Sequence, residues 1–208
     1  MTRGATPTAN RRRRSHGLAR LALVVAIATG GCVAAPPDGS LPCNATIDAQ
    51  RAAGFDVALE ATLPIAGWER KPTQVDSGRE CSPARLGPLW GAGIRELRSA
   101  GAIFDNADQT GYTLVSYRAD GLTLEALAYA FERGARGGRK TQDVRVESER
   151  VGEWPATRLT LINGDHGQVI VLFADPAESP IVRGVLTSDL PRAEVDRIVA
   201  AYAAAIRR

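Results

Sequence analysis

Between residues 93 and 188, short alternating or continuously apolar runs are separated by turn clusters, a pattern that a β-sheet accommodates and a helical bundle does not. Residues 94–104 and 112–118 flank the polar cluster 105–111, which predicts a hairpin. Residues 144–150 alternate, with Val144 and Val146 on one face and Arg145, Glu147 and Glu149 on the other. Residues 156–162 and 168–173 flank a second hairpin loop, 163–167. The stretch 169–173 is apolar throughout, which predicts a central strand covered on at least part of both faces. Residues 181–187 form a further strand. Two helices interrupt and close the series. Residues 122–136 place Leu122, Leu124, Leu127, Ala128 and Phe131 at helical spacing, with Gly134, Gly137 and Gly138 as stops. Residues 191–206 carry an apolar stripe of Val195, Ile198, Val199, Tyr202, Ala205 and Ile206, with Pro191 in the first turn and Asp189 as a cap. Hairpin, helix, three strands and helix predict an α+β fold, an antiparallel β-sheet with helices packed on it.

Residues 43–92 are less patterned. A short helix over 46–54 and a strand over 56–62 are expected, and Pro64, Gly67, Pro72, Gly78, Pro83 and Gly87 divide the remainder into turns.

The net charge of +3 conceals an asymmetry. Six basic residues, Arg3, Arg11, Arg12, Arg13, Arg14 and Arg20, fall in residues 1–31, which contain no acidic residue. The 20 remaining basic groups face 23 acidic ones, so residues 32–208 carry about −3 and offer no global electrostatic case for nucleic acid. At 5% aromatic, the chain also lacks the material for a base-stacking platform. The basic block precedes the apolar segment 21–29, too short for the ~20 residues a membrane-spanning helix needs. A charged block, a short apolar stretch and then small residues read as a secretory signal peptide over 1–31.

Gly30-Gly31-Cys32 resembles the lipobox of bacterial lipoproteins, although Thr29 stands where that family usually carries leucine. The resemblance implies cleavage between Gly31 and Cys32, a lipid on the Cys32 thiol and an outward-facing protein held at the cell membrane. The competing reading is an ordinary cut after Val33-Ala34-Ala35, which leaves Pro36 directly behind it. Arg13-Arg14 admits a twin-arginine route, but Ser15-His16-Gly17 lacks the apolar residues that follow in such signals. Residues 32–42 are rich in small residues, Pro and Gly and are expected to form a tether, with one α+β domain over 43–208. If Cys32 is lipidated, Cys43 and Cys81 remain as an even pair able to form a disulfide in an oxidising compartment; the alternative is two buried thiols.

The strand and helix order, with Gly152 to Ala156 entering the second strand of the meander, is similar to actinobacterial lipoproteins of Mog1/PsbP-like fold, the LpqN type among them. The similarity covers residues 93–208. It implies envelope association and the handling of a lipid or protein, and it transfers no catalytic residue.

Candidate chemistry is sparse. His166, the one histidine outside the leader, sits in a hairpin loop beside Asp165. Gathered with Asp105 and Asp108 in a polar cleft, the two would favour an enzyme. No Gly-x-Ser-x-Gly elbow is present. Gly134 to Thr141 superficially matches a phosphate-binding loop but has Arg139 where glycine is required, and it ends a helix where such a loop begins one. Arg133, Arg136, Arg139 and Lys140 complement a helix C-terminus and are candidates for contact with anionic lipid headgroups. Glu147 and Glu149 share a strand face but alternate with valines as a solvated sheet surface does. Trp68, Trp90 and Trp154 lie beside Gly67, Gly91 and Pro155, as packing residues at turns do. Asn44 to Thr46 form a glycosylation sequon.

No catalytic constellation, metal site or cofactor motif emerges. The expectation is a membrane-anchored, non-catalytic binding or accessory domain for an envelope lipid, glycan or protein. The alternative is an envelope hydrolase with acidic or serine chemistry.

Overall fold

In the computed structural model, which describes residues 38–44, 48–106, 110–175, 177 and 180–207, eight strands form one antiparallel sheet. They are β1 (Arg51–Ala52), β2 (Gln74–Glu80), β3 (Leu97–Asp105), β4 (Gly111–Arg118), β5 (Thr141–Val151), β6 (Trp154–Asn163), β7 (His166–Phe173) and β8 (Ile181–Ser188). Five helices accompany them: α1 (Val57–Glu60), α2 (Pro83–Leu86), α3 (Pro88–Gly91), α4 (Leu124–Gly137) and α5 (Arg192–Ile206). The described residues all belong to one compact unit, Ala35–Arg208.

The strand order is β1-β2-β3-β4-β8-β7-β6-β5. Two four-stranded meanders are therefore fused, and the seam is the β4–β8 pairing, from Gly111 opposite Ser188 to Arg118 opposite Ile181. Alternation sends Tyr112, Leu114 and Ser116 of β4 to one face and Thr113, Val115 and Tyr117 to the other. On the first face Leu114, Phe173 and Val185 meet Leu59 of α1 and Val195, Ile198 and Tyr202 of α5. On the second face Leu97, Leu159, Leu172 and Val182 meet Leu86, Leu89 and Leu127 from α2, α3 and α4. The apolar run 169–173 is explained by this double cover, since Val171 faces α5 while Ile170 and Leu172 face α4.

The first third departs from expectation. Residues 48–54 hold turns and β1 in place of the expected helix 46–54, and 45–47 lie outside the described residues. The expected strand 56–62 is the short helix α1, because Asp56 acts as its N-cap: Oδ1 accepts the Leu59 N–H at 3.0 Å. Residues 74–80 form β2 rather than turns. Gly78 is a strand residue there, since a Cβ would collide with the Gln50 carbonyl oxygen and the β1 backbone needs that space.

Smaller corrections concern the helix ends. Gly134 lies inside α4, which stops at Gly137 with Gly138 as its cap, and Thr123 caps its start by accepting the Ala126 N–H at 3.1 Å. Pro191 precedes α5 without a side-chain cap, because the Asp189 carboxylate is bonded elsewhere.

A buried carboxylate ties the first meander together. The Asp56 side chain is 5% exposed, and its Oδ2 accepts Arg98 Nη1 at 3.2 Å and Arg118 Nη2 at 2.8 Å. Its own N–H donates to Ser77 Oγ at 2.7 Å, so one residue joins α1 to β2, β3 and β4. Burial pushes its pKa up, but the Leu59 N–H and the two guanidinium groups outweigh that and hold it below the ordinary value.

The chain that leads into the domain is fastened beside this centre. The Gly39 carbonyl accepts Arg79 Nη1 at 3.2 Å and Arg98 Nη2 at 3.0 Å, and the Leu41 carbonyl accepts Arg79 Nη2. A disulfide joins Cys43 to Cys81, with Cα atoms 6.2 Å apart. Closing a loop with a sequence separation of 38 contributes about 3–4 kcal/mol in the chain-entropy account. Residues 38–42, expected as tether, are thus bound to the sheet.

Replacing Asp56 by alanine removes a cap and the buried carboxylate that Arg98 and Arg118 share. In urea denaturation Asp56→Ala is expected to lose about 2–4 kcal/mol. The contribution of Asp56 is present above the ordinary carboxylate range and fades as pH falls through its depressed pKa.

Candidate functional site

α4 lies against the second face of the sheet, and beneath its C-terminal half a groove of about 800 Å³ opens between helix and strands. Leu97, Tyr117, Leu127, Phe131, Leu161 and Ile170 form its apolar walls. Tyr117 and Phe131 meet edge to face, their centroids 5.8 Å apart, and burial pushes the Tyr117 hydroxyl pKa up. Ala130 and Gly134 supply the helix side of the groove. A Cβ at Gly134 would meet no atom within 4 Å, so this glycine faces open space. The residue expected to stop the helix instead leaves room beside it.

The groove is rimmed by charge. Arg51, Glu80, Arg85 and Arg133 line it, with Asn163 and Gln168 at the β6–β7 side. Arg51 is held in place, its Nε donating to Asp76 Oδ1 at 2.9 Å and its Nη1 to Ser99 Oγ at 2.6 Å. Burial pushes the Glu80 carboxyl above its ordinary pKa, and the opposing attraction of Arg85 and Arg51 does not reverse this. Apolar walls and a basic rim suit a ligand with a hydrocarbon body and an anionic end.

The expected headgroup residues cluster at the C-terminal end of α4. Arg133 reaches the groove, Arg136 Nε donates to Glu132 Oε1 at 2.8 Å, and Arg139 and Lys140 are exposed in the turn before β5. Gly31 and Cys32 lie outside the described residues, and so do Asp108 and Thr46. Cys43, Cys81 and Asp48 bring three potential ligand atoms close together. The two sulfurs are bonded to each other, however, and Asp48 Oδ1 accepts the Cys81 N–H at 2.7 Å, so no thiolate is available to a metal.

Other sequence candidates resolve into structural contacts. Glu149 pairs with Arg158 at 2.9 Å. Trp68 Nε1 donates to the Tyr112 hydroxyl at 3.0 Å, Trp154 stacks on Phe173, and Arg95 lies 4.1 Å above Trp90. Asp105 accepts Thr73 Oγ1 at 3.2 Å, whereas His166 Nδ1 meets Asp189 Oδ2 at 2.5 Å. Asp189 Oδ1 also accepts the Gly167 N–H at 2.7 Å, clamping the β6–β7 hairpin. Arg51, Glu80, Arg85 and Tyr117 were not expected to form a site. Of the residues singled out in the sequence for ligand contact, Arg133 lines the groove, and Gly134, read there as a helix stop, lies beside it.

No protein-family model matches the chain, and no curated protein matches it. No helix among the described residues is long and apolar enough to cross a membrane.

The hairpin clamp has a pH signature. The hydrogen bond and charge of Asp189 raise the His166 pKa above 6.5, and His166 lowers that of Asp189 below 3.8. The pair's stabilisation is complete between those ordinary values. It is lost as pH rises through the raised histidine pKa or falls through the lowered aspartate pKa. An NMR titration should place His166 above 6.5, and Asp189→Asn should return it towards 6.5.

Proposed function

We propose that the chain is a lipid-anchored protein of the outer face of a cell membrane, and that its domain binds an envelope amphiphile without catalysis. The observation that carries this reading is the groove under α4, with apolar walls and Arg51, Arg85 and Arg133 at its rim. Its volume of about 800 Å³ lies within the range of pockets that enclose small ligands. Each methylene of an acyl chain buried there would contribute about 0.8 kcal/mol, and the guanidinium groups would meet the anionic end.

The anchor is supported by the basic block, the short apolar segment and Gly30-Gly31-Cys32, the features from which we infer a lipid on Cys32. The Cys43–Cys81 bridge agrees with an oxidising compartment outside the membrane. An antiparallel sheet with helices on both faces agrees with a Mog1/PsbP-like sandwich, the fold we assign to it.

Two separate measurements test the two halves of the proposal. Expressed in bacteria, the wild-type chain should partition into membranes with acyl chains on its N-terminal cysteine by mass spectrometry, and Cys32→Ala should not. Equal solubility of the two would remove the anchor. For the groove, Gly134→Leu fills the open space with a good helix former. It should weaken binding of a fluorescent fatty acid by about tenfold or more while leaving the circular dichroism unchanged. Undiminished binding, or none by the wild type, would rule the groove out as the ligand site.

A further inference from the structure

On the face of the sheet opposite the groove, α5 and the β5–β6 hairpin enclose a second cleft of about 410 Å³. Four arginines line it, Arg150, Arg158, Arg192 and Arg207, against two carboxylates, Glu149 and Asp196. The cleft therefore carries +2 within a segment, 32–208, whose overall charge is about −3. Val199, Ala200, Ala203 and Ala204 form its α5 side, and their short side chains keep it open.

Two of the guanidinium groups are fixed before any ligand arrives. Arg158 is 6% exposed, with Nε on Glu149 Oε2 at 2.9 Å and Nη2 on Asp196 Oδ1 at 2.6 Å. Both carboxylates are thereby engaged. Arg207 lies 4.7 Å over the Trp154 ring, with Gly152 close to its guanidinium. Gly152 has φ +61°, and a Cβ there would sit 2.5 Å from Arg207 Nη2, so the turn glycine also provides a seat for the guanidinium. Arg150 donates to the Glu153 carbonyl, which leaves its charge uncompensated by that partner. Arg192 is 71% exposed, and its Nε is 3.8 Å from Asp196.

We infer that this cleft binds a phosphomonoester. Guanidinium forks match phosphate oxygens in geometry, and groups already held in place lose little freedom on binding. Charge selects within the anions: a phosphomonoester carries about −1.5 to −2 at neutral pH, which balances the cleft, whereas a single carboxylate balances half of it. The ester can belong to a soluble metabolite or to a lipid headgroup.

The test uses the full-length Cys32→Ala chain, titrated calorimetrically with glycerol 3-phosphate, with short-chain phosphatidic acid and with glycerol. Saturable binding of either phosphate compound but not of glycerol is expected. Binding of glycerol 3-phosphate identifies a soluble ligand, and binding of phosphatidic acid alone identifies a headgroup when the α5-cleft variants weaken it, since the α4 groove is also proposed to take an anionic amphiphile. Arg192→Gln/Arg207→Gln should weaken that binding by about tenfold or more, as loss of charge-assisted hydrogen bonds does. The highly exposed position of Arg192 makes the single Arg192→Gln variant a safe second probe, expected to weaken binding in the same direction. Arg133→Gln, at the other groove, should leave glycerol 3-phosphate binding unchanged. Failure of the Cys32→Ala chain to bind either compound would overturn the inference, as would affinity unaffected by both α5-cleft variants.

Discussion

The pairing of β4 with β8 is the constraint on which the molecule rests. Neither four-stranded meander has a finished core of its own. Phe104, Tyr112 and Leu114 from the first must join Val171, Phe173 and Val185 from the second to form the surface that α1 and α5 cover. On the reverse side, Leu97 of one meander and Leu159, Leu172 and Val182 of the other share the layer beneath α2, α3 and α4. Gly184 sits at this seam because a Cβ would stand 2.9 Å from Leu172 Cδ2 and 3.1 Å from Val115 Cγ1, and those side chains fill the space.

Arginine does much of the tying between elements, and lysine almost none. The chain has 24 arginines and two lysines, Lys71 and Lys140. Arg98 contacts Asp56, Glu96 and the Gly39 carbonyl, and Arg158 joins β5, β6 and α5 through two carboxylates. A planar fork with several fixed donors can serve two or three partners in different elements, whereas an ammonium group offers a single point charge. The same geometry that braces the fold leaves guanidinium groups aimed into the two clefts.

The later part of the chain was legible in the sequence because its strands alternate cleanly or run apolar, and polar turn residues separate them. The early part was not, for local reasons. Asp56 to Thr62 alternate in a way that a strand or a short helix can use, and only the capping bond of Asp56 decides between them. Gly78 reads as a turn residue until the β1 backbone is seen to occupy its side-chain space. The groove was illegible for a different reason. Its lining comes from β1 to β7 and three helices, and its residues are individually ordinary, leucines, alanines and arginines among them. Only Arg133, one of the basic residues clustered at the end of the α4 pattern, was marked in the sequence for ligand contact and lines the groove.

The last strand of the sheet in sequence lies near its middle in space. As the chain leaves a ribosome or a translocation channel, the first meander emerges complete yet keeps the edge of β4 bare until residues 181–188 follow. Closure of the central pairing must therefore wait for nearly the whole polypeptide, and its contacts span about 70 residues of sequence. A chain cut short before β8 retains the unpaired edge that invites aggregation, and its exposed hydrophobic residues mark it as unfinished. The topology thus makes completion of the sheet one of the last events in the synthesis of the chain.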